Sequence, residues 1–312
     1  MALELSATLA WWDRLRRSDL GWSFVRSPSA IGAACIVSLL LLGSLLAPWI
    51  APQNPLDLAQ LNLSDALLPP VWMAGGSTSY LLGSDGQGRD LLSAILYGTR
   101  TSLLVGAAAV AFALLLGVTL GLIAGYVGGI ADAVIMRLAD VQWSFPAILI
   151  ALLIDGVARN MLPRQMQDRI AIYVLVLAIG VSGWVQFART VRATTMVEKS
   201  KEYVQAARVT GVHPLRIMLG HVLPNTLGPV LVIGTIYLAV AIIIEATLSF
   251  LGVGIPATRP SLGTLIRIGS NALMSGEWWI TLFPSITLAA IVLSVNVLGD
   301  WLRDTLNPKL RT

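Results

Sequence analysis

The sequence predicts an all-α polytopic membrane protein with six transmembrane helices. Three observations carry that prediction. The 312 residues are 56% hydrophobic and only 12% charged, with a mean hydropathy of +0.77, whereas soluble domains hold about 25% charged residues. The apolar residues gather into six runs, each close to the ~20 residues a helix needs to cross a bilayer. Polar, glycine- and proline-containing stretches separate those runs.

The same numbers exclude other classes. The net charge of +4 is spread over scattered basic residues, so no nucleic-acid surface is expected. The single Cys35 lies in an apolar run and rules out a disulfide framework within the chain. Only Lys199, Lys201 and Lys309 are present and none follows a glycine, so there is no phosphate-binding loop for ATP. His213 and His221 have no cysteine near them, and neither a metal site nor a catalytic triad is expected. No cofactor is implied.

In chain order, residues 1–29 are a mixed lead with Arg14, Arg16, Arg17 and Arg26. Trp11, Trp12 and Trp22 there suit a membrane interface. The first span runs from Ala30 to about Ile50 and is read as retained. Residues 51–100 form a long loop outside the membrane. Within it, Leu82–Leu92 reads as a glycine turn leading into a helix capped by Asp85 or Asp90. We divide the chain into residues 1–79, holding the lead, first span and start of that loop, and a five-helix core over 80–312.

The second span is Ser102 to about Tyr126. Its Gly117, Gly121 and Gly125 are four apart and share one face, which lets helices approach closely in lipid. The third runs from about Ala131 to Leu153, and residues 155–169 read as a polar loop. Spans four to six are about Ile170–Ala188, Leu227–Val253 and Trp278–Leu298.

Three intramembrane charges stand out. Arg137 and Asp140 are three apart and can neutralise each other on one helix face. Glu245 lies some 18 residues into its span, about 27 Å along a helix, hence toward the outer edge. It is a candidate for the translocation path, or for pairing with an arginine of a neighbouring helix. Thirteen of the 21 basic residues fall on the side that holds both termini and the stretch 190–225. That bias places both termini in the cytoplasm.

The stretch from Glu198 to Pro224 is the longest polar interruption in the second half of the chain. It reads as two short helices. Tyr203, Ala206, Ala207 and Thr210 recur at helical spacing and make a narrow face of small and apolar groups. Gly211 suits the left-handed residue that stops a helix. Pro214 suits the first turn of the next helix, and Pro224 is read as its end. Small residues on an exposed helix let another surface come close, so this is a docking face.

Gln205-Ala206-Ala207, Gly211 and Leu223-Pro224 resemble the "EAA" loop of permease subunits of bacterial ABC importers. Glu202-Tyr203-Val204 and His221-Val222-Leu223-Pro224-Asn225 resemble the dipeptide/oligopeptide/nickel branch of that family. Gln205 departs from the family's glutamate, and His221 from the isoleucine of the wider family. The segments around Gly83–Asp90, Arg137–Pro146, Gly183–Arg192 and Gly299–Asp304 resemble it too.

The resemblance implies a type I ABC importer permease core in a bacterial inner membrane. ATP hydrolysis belongs to two separate ATP-binding subunits. Those subunits dock on Glu202, Tyr203, Ala206, Ala207, Gly211, Leu223 and Pro224. A second permease subunit and an extracytoplasmic solute-binding protein complete the assembly, within the lipid bilayer. The solute is expected to be a peptide or a related small molecule. Nickel or another non-peptide solute is the alternative, and a secondary transporter a further one. The latter needs a coupling-ion site on broken helices, and no clear pair of such segments is seen.

Overall fold

The computed structural model describes residues 19–306 apart from 58, 60, 162 and 257. The expectations for Trp11, Trp12, Arg14, Arg16, Arg17, Lys309 and Arg311 lie outside the described residues. Among the described residues the structure is helical, with one isolated bridge between Ser84 and Asp90.

Helices α1 (Asp19–Val25), α2 (Pro28–Leu45) and α3 (Ala47–Ile50) form the first span and its flanks. Ser27 caps α2, and proline stands in its first turn. After the 51–90 segment come α4 (Leu91–Val127), α5 (Gly129–Trp143), α6 (Ala147–Met161) and α7 (Arg164–Glu198). The turn region holds α8 (Glu202–Val209) and α9 (Pro214–Ile217). Then follow α10 (Leu223–Phe250), α11 (Leu262–Ala272) and α12 (Trp279–Leu306).

Five helices are long and apolar enough to cross a membrane, and α5 with α6 make a sixth span bent by 93°. The packing shows that this bent pair acts as one crossing. On α4, Gly117 faces Trp184 and Phe187, Gly121 faces Ala188 and Val191, and Gly125 faces Arg192 and Thr195. Residue numbers rise together, so α4 and α7 run parallel. The chain between them must therefore return to the starting side. The three glycines lie on one contact face, as their spacing predicts. A Cβ on Gly117 would stand 2.5 Å from the Trp184 carbonyl oxygen, so the backbones meet only because no side chain intervenes.

Helix α10 runs antiparallel to α4, with Gly106 against Ile242 and Leu114 nearest Gly234. Helix α12 runs antiparallel to α10, with Gly299 against Thr235. Its last turn meets α1: Trp301 Nε1 donates to Ser23 Oγ at 3.2 Å, and Ser23 Oγ lies 2.9 Å from Thr305 Oγ1. Both described chain ends therefore sit on the same side as the 199–222 turn.

Several expectations need correction. The third span is not one straight helix, because Ser144–Pro146 break it; proline disfavours helical geometry in the residue before it. Residues 155–169 are not a loop. Helix α6 continues to Met161 and α7 begins at Arg164, so Asp155, Arg159 and Gln167 lie on helices. Asp155 is buried there and pairs with Arg159 at 2.5 Å, while Arg159 Nη2 donates to the Gly254 carbonyl at 3.1 Å. Asp140 does not pair with Arg137. Its partner is Arg189 on α7, Nη2 to Oδ1 2.8 Å, because α5 lies antiparallel against α7. Arg192 grips Asp132 in the same seam, with Nη2 2.7 Å from Oδ2.

Candidate functional site

The turn between α7 and α10 is built from the ends of three spans. Lys199 Nζ donates to the carbonyls of Gly125 and Tyr126 at 2.9 and 3.3 Å. A cation thus satisfies carbonyls left open at the end of α4 and complements its dipole. The Arg208 guanidinium lies over the Tyr126 ring, 5.2 Å from its centroid. Helix α8 is therefore held from below by α4 as well as by its own chain neighbours.

Helix α8 has two sides. Val204 is fully buried, and Ala207 packs half-buried against the same core cluster as Val212 and Leu223. Glu202, Gln205, Ala206 and Val209 are exposed. Those four positions fall on one face at helical spacing, and Val209 at 89% exposure is an apolar side chain with no cover in this chain. The predicted face of Tyr203, Ala206, Ala207 and Thr210 is thus split: Ala207 turns inward, while Ala206, Tyr203 and Thr210 keep outward surface.

Gly211 ends α8 with φ +77, and Val212 N–H closes back onto the Ala207 carbonyl at 3.0 Å. That is the left-handed stop its position predicts. His213 caps α9 by accepting from Leu215 N–H, and Pro214 occupies the first turn.

Pro224 does not end the following helix. Residues Pro214–Phe250 are one continuous helix that widens to a π turn over Met218–Val222, with Leu223 N–H reaching the Met218 carbonyl. The widened turn accommodates a proline ring that would clash with the carbonyl four residues back in a regular helix. Leu223 is half-buried and Pro224 exposed at this junction.

Around the π turn lies a network whose hub the sequence reading did not single out. Glu198, the last residue of α7, accepts from Lys201 Nζ at 2.6 Å and from the Tyr203 hydroxyl at 2.7 Å. The Tyr203 oxygen in turn accepts from Asn225 Nδ2 at 3.1 Å, and Asn225 Nδ2 lies 2.7 Å from the His221 carbonyl. Desolvation first, and then the hydrogen bond to Glu198, hold the Tyr203 phenol above its ordinary pKa. It therefore stays a proton donor throughout the physiological range. The available signal for Glu198 was its place, as the one acidic residue between the end of a span and a helix start.

Residues 117–312 match the family described as binding-protein-dependent transport system inner membrane component. Residues 10–70 match the N-terminal transmembrane domain of oligopeptide transport permease C. The chain is 37% identical to the dipeptide transport system permease protein of Haemophilus influenzae, over 92% of this chain and 93% of that one. It is 36% identical to the di/tripeptide permease of Pseudomonas aeruginosa, over 93% and 91%. It is 34% identical to the glutathione transport system permease protein of Pectobacterium atrosepticum, over 93% and 90%. The chain belongs to the binding-protein-dependent transport permeases of the inner membrane.

Membership sets aside the secondary-transporter alternative. In this permease, Glu245 is fully buried at the junction of α10, α4 and α11. Its Oε1 accepts from Ser249 Oγ at 2.8 Å, while Oε2 has no partner. Ser102 Oγ accepts from Leu262 N–H, and Ser261 Oγ from Thr264 N–H. The partner of the carboxyl is Ser249 rather than an arginine.

At the opposite end from the turn, Asp85 and Arg89 form a buried pair at 2.7 Å, and Asp90 caps α4 through Ser93 N–H. The predicted glycine turn is a folding element that closes the 51–90 segment onto α4.

Proposed function

We propose that the permease is the membrane subunit of an ATP-driven importer of peptides or closely related solutes, with α8 as the seat of its ATP-binding subunits. One observation carries the docking assignment: α8 is anchored on its Val204–Ala207 side and bare on its Glu202–Ala206–Val209 side. A helix held on one side, with Ala206 and Val209 uncovered on the other, suits a surface that seats in a partner's groove. Gly211, Leu223 and Pro224 set the angle at which α8 is presented.

The peptide assignment follows the printed function of the relatives. Dipeptide, di/tripeptide and oligopeptide permeases share 34–37% of residues with this chain over most of its length. The bias of basic residues puts the α8 side in the cytoplasm, with both termini. The assembly is completed by a second permease subunit, in a heterodimer, by two ATP-binding subunits, and by an extracytoplasmic solute-binding protein.

The geometry supports a mechanical role. ATP-driven closure of the docked subunits displaces α8, and α8 is tied to the ends of α4, α7 and α10. Those spans then tilt together between inward and outward access. Glu245 is the acidic candidate for the path. It is enclosed in this conformation, so solute reaches it only when α11 moves away from α4 and α10.

Co-expression with the neighbouring ATP-binding subunits tests the reading. A tagged permease should retain both, and proteoliposomes of the complex should take up dialanine only with ATP and the binding protein present. Uptake by the permease alone would overturn it.

A further inference from the structure

We infer that Glu198, Tyr203 and Asn225 are positioning residues that join the docking helix to two spans at once. The inference rests on the docking reading of α8. It adds which side chains carry motion from that helix into the membrane.

Glu198 closes α7, Tyr203 belongs to the first turn of α8, and Asn225 belongs to the first turn of α10. One chain of contacts runs through them: Glu198 Oε2 to Tyr203 oxygen at 2.7 Å, and Tyr203 oxygen to Asn225 Nδ2 at 3.1 Å. The phenol has one proton, which it gives to the nearer carboxylate, with the His221 carbonyl a longer acceptor at 3.3 Å, and it uses a lone pair for the amide. Both directions are satisfied by one oxygen, so α8 cannot slide relative to α7 without also pulling on α10.

Asn225 Nδ2 also reaches the His221 carbonyl inside the π turn. The widened turn is therefore pinned at its last residues. The backbone alone leaves α8 on short connections, Lys199–Lys201 on one side and Thr210–His213 on the other. The Glu198–Tyr203–Asn225 contacts brace both connections at once. Hydrogen bonds to charged groups are the stronger kind, and Glu198 supplies that charge.

The test uses the full complex in proteoliposomes with the binding protein and dialanine. Co-purification measures assembly, and dialanine taken up per ATP hydrolysed measures coupling. Tyr203→Phe and Asn225→Ala should both keep the ATP-binding subunits. Tyr203→Phe should lower uptake per ATP about tenfold, the scale of one lost hydrogen bond to a charged group, and Asn225→Ala about threefold or more, since its bonds are to neutral groups. The double variant should be no worse than the worse single one, since both break the same chain.

Glu198→Gln keeps a neutral acceptor for the phenol but gives up the charge, and should fall between wild type and Glu198→Ala, which should fall with Tyr203→Phe. An unchanged ratio in Tyr203→Phe overturns the inference. So does a loss of assembly in Tyr203→Phe, which would make the network a folding element only. Equal losses in Glu198→Gln and Glu198→Ala overturn it as well. If the wild-type permease fails to hold ATP-binding subunits, the docking reading fails instead, and the two failures are distinguishable.

Discussion

Gly125 on α4 lies directly against Thr195 on α7, so that a Cβ at position 125 would stand 2.7 Å from the Thr195 Cβ. Lys199, one turn beyond Thr195, donates to the carbonyl of the same Gly125, and the contact fixes the parallel pair on which the 199–222 turn is mounted.

Overpacking this seam should loosen the whole end that carries the 199–222 turn. Gly125→Leu is expected to destabilise the permease by about 1–3 kcal/mol, or more where backbone blocks relaxation. Gly228→Ala is the control, because nothing lies within 4 Å of a Cβ there. Thermal unfolding of the purified complexes should show a lower midpoint for the first and none for the second. Equal midpoints would remove close packing of α4 on α7 as a source of stability.

Asp90 offers a test that varies with pH. Its side chain is buried, Oδ2 accepts from Ser93 N–H and Oγ, and Oδ1 has no partner. Burial raises its pKa above the ordinary carboxylate value. A carboxyl raised in the folded state favours folding most when protonated, at pH below its unfolded value, and loses that contribution as pH rises through the folded value. Asp90→Asn keeps the cap and removes the charge. It should raise the unfolding midpoint at pH 7, and the gain should shrink as pH falls toward 4. Asp90→Ala loses the cap and should cost about 1 kcal/mol. A gain for Asp90→Asn that is constant with pH would mean that the charge is irrelevant.

Much of this architecture was legible in the sequence because lipid leaves few options. Long apolar runs must be helices there, and glycines four apart must meet a neighbour. What escaped was decided by which helices become neighbours. Asp140 and Arg137 are close in sequence, yet parallel packing of α4 and α7 brings α5 back along α7 and offers Arg189 instead. Residues 155–169 looked like a loop because Asp155, Arg159 and Gln167 interrupt hydropathy. Their polar groups are satisfied across helices, with Arg159 on Gly254 and Gln167 Nε2 on the Arg159 carbonyl at 2.7 Å. Pro224 looked like a stop because a π turn has no signature in residue spacing. In the docking stretch, Ala206 and Ala207 are indistinguishable by type, and only the packing of Val204 and Val212 shows which one turns inward.

Glu245 can be tested by access. Glu245→Cys in a Cys35→Ser background introduces a single thiol, since Cys35 is exposed. Position 245 is fully buried in this conformation. A small membrane-impermeant thiol reagent should therefore fail to label the complex without nucleotide. It should label the complex held with ATP and a hydrolysis-deficient ATP-binding subunit. Absence of labelling in both states would take Glu245 off the path and leave it as a buried group in the packing of α10.

The central claim is that the bare side of α8 receives the ATP-binding subunits. Ala207→Asp is a poor probe, since Ala207 packs on its own chain and the change would disturb the turn itself. Ala206 is exposed, and Ala206→Asp alters only what approaches from outside. An unpaired carboxylate buried in a contact costs several kcal/mol, and about 1.4 kcal/mol is tenfold in affinity. The decisive measurement is the dissociation constant between permease in nanodiscs and purified ATP-binding subunits. The account predicts that Ala206→Asp weakens binding by about a hundredfold or more, with the permease's own unfolding midpoint unchanged. Wild-type affinity in Ala206→Asp would contradict it.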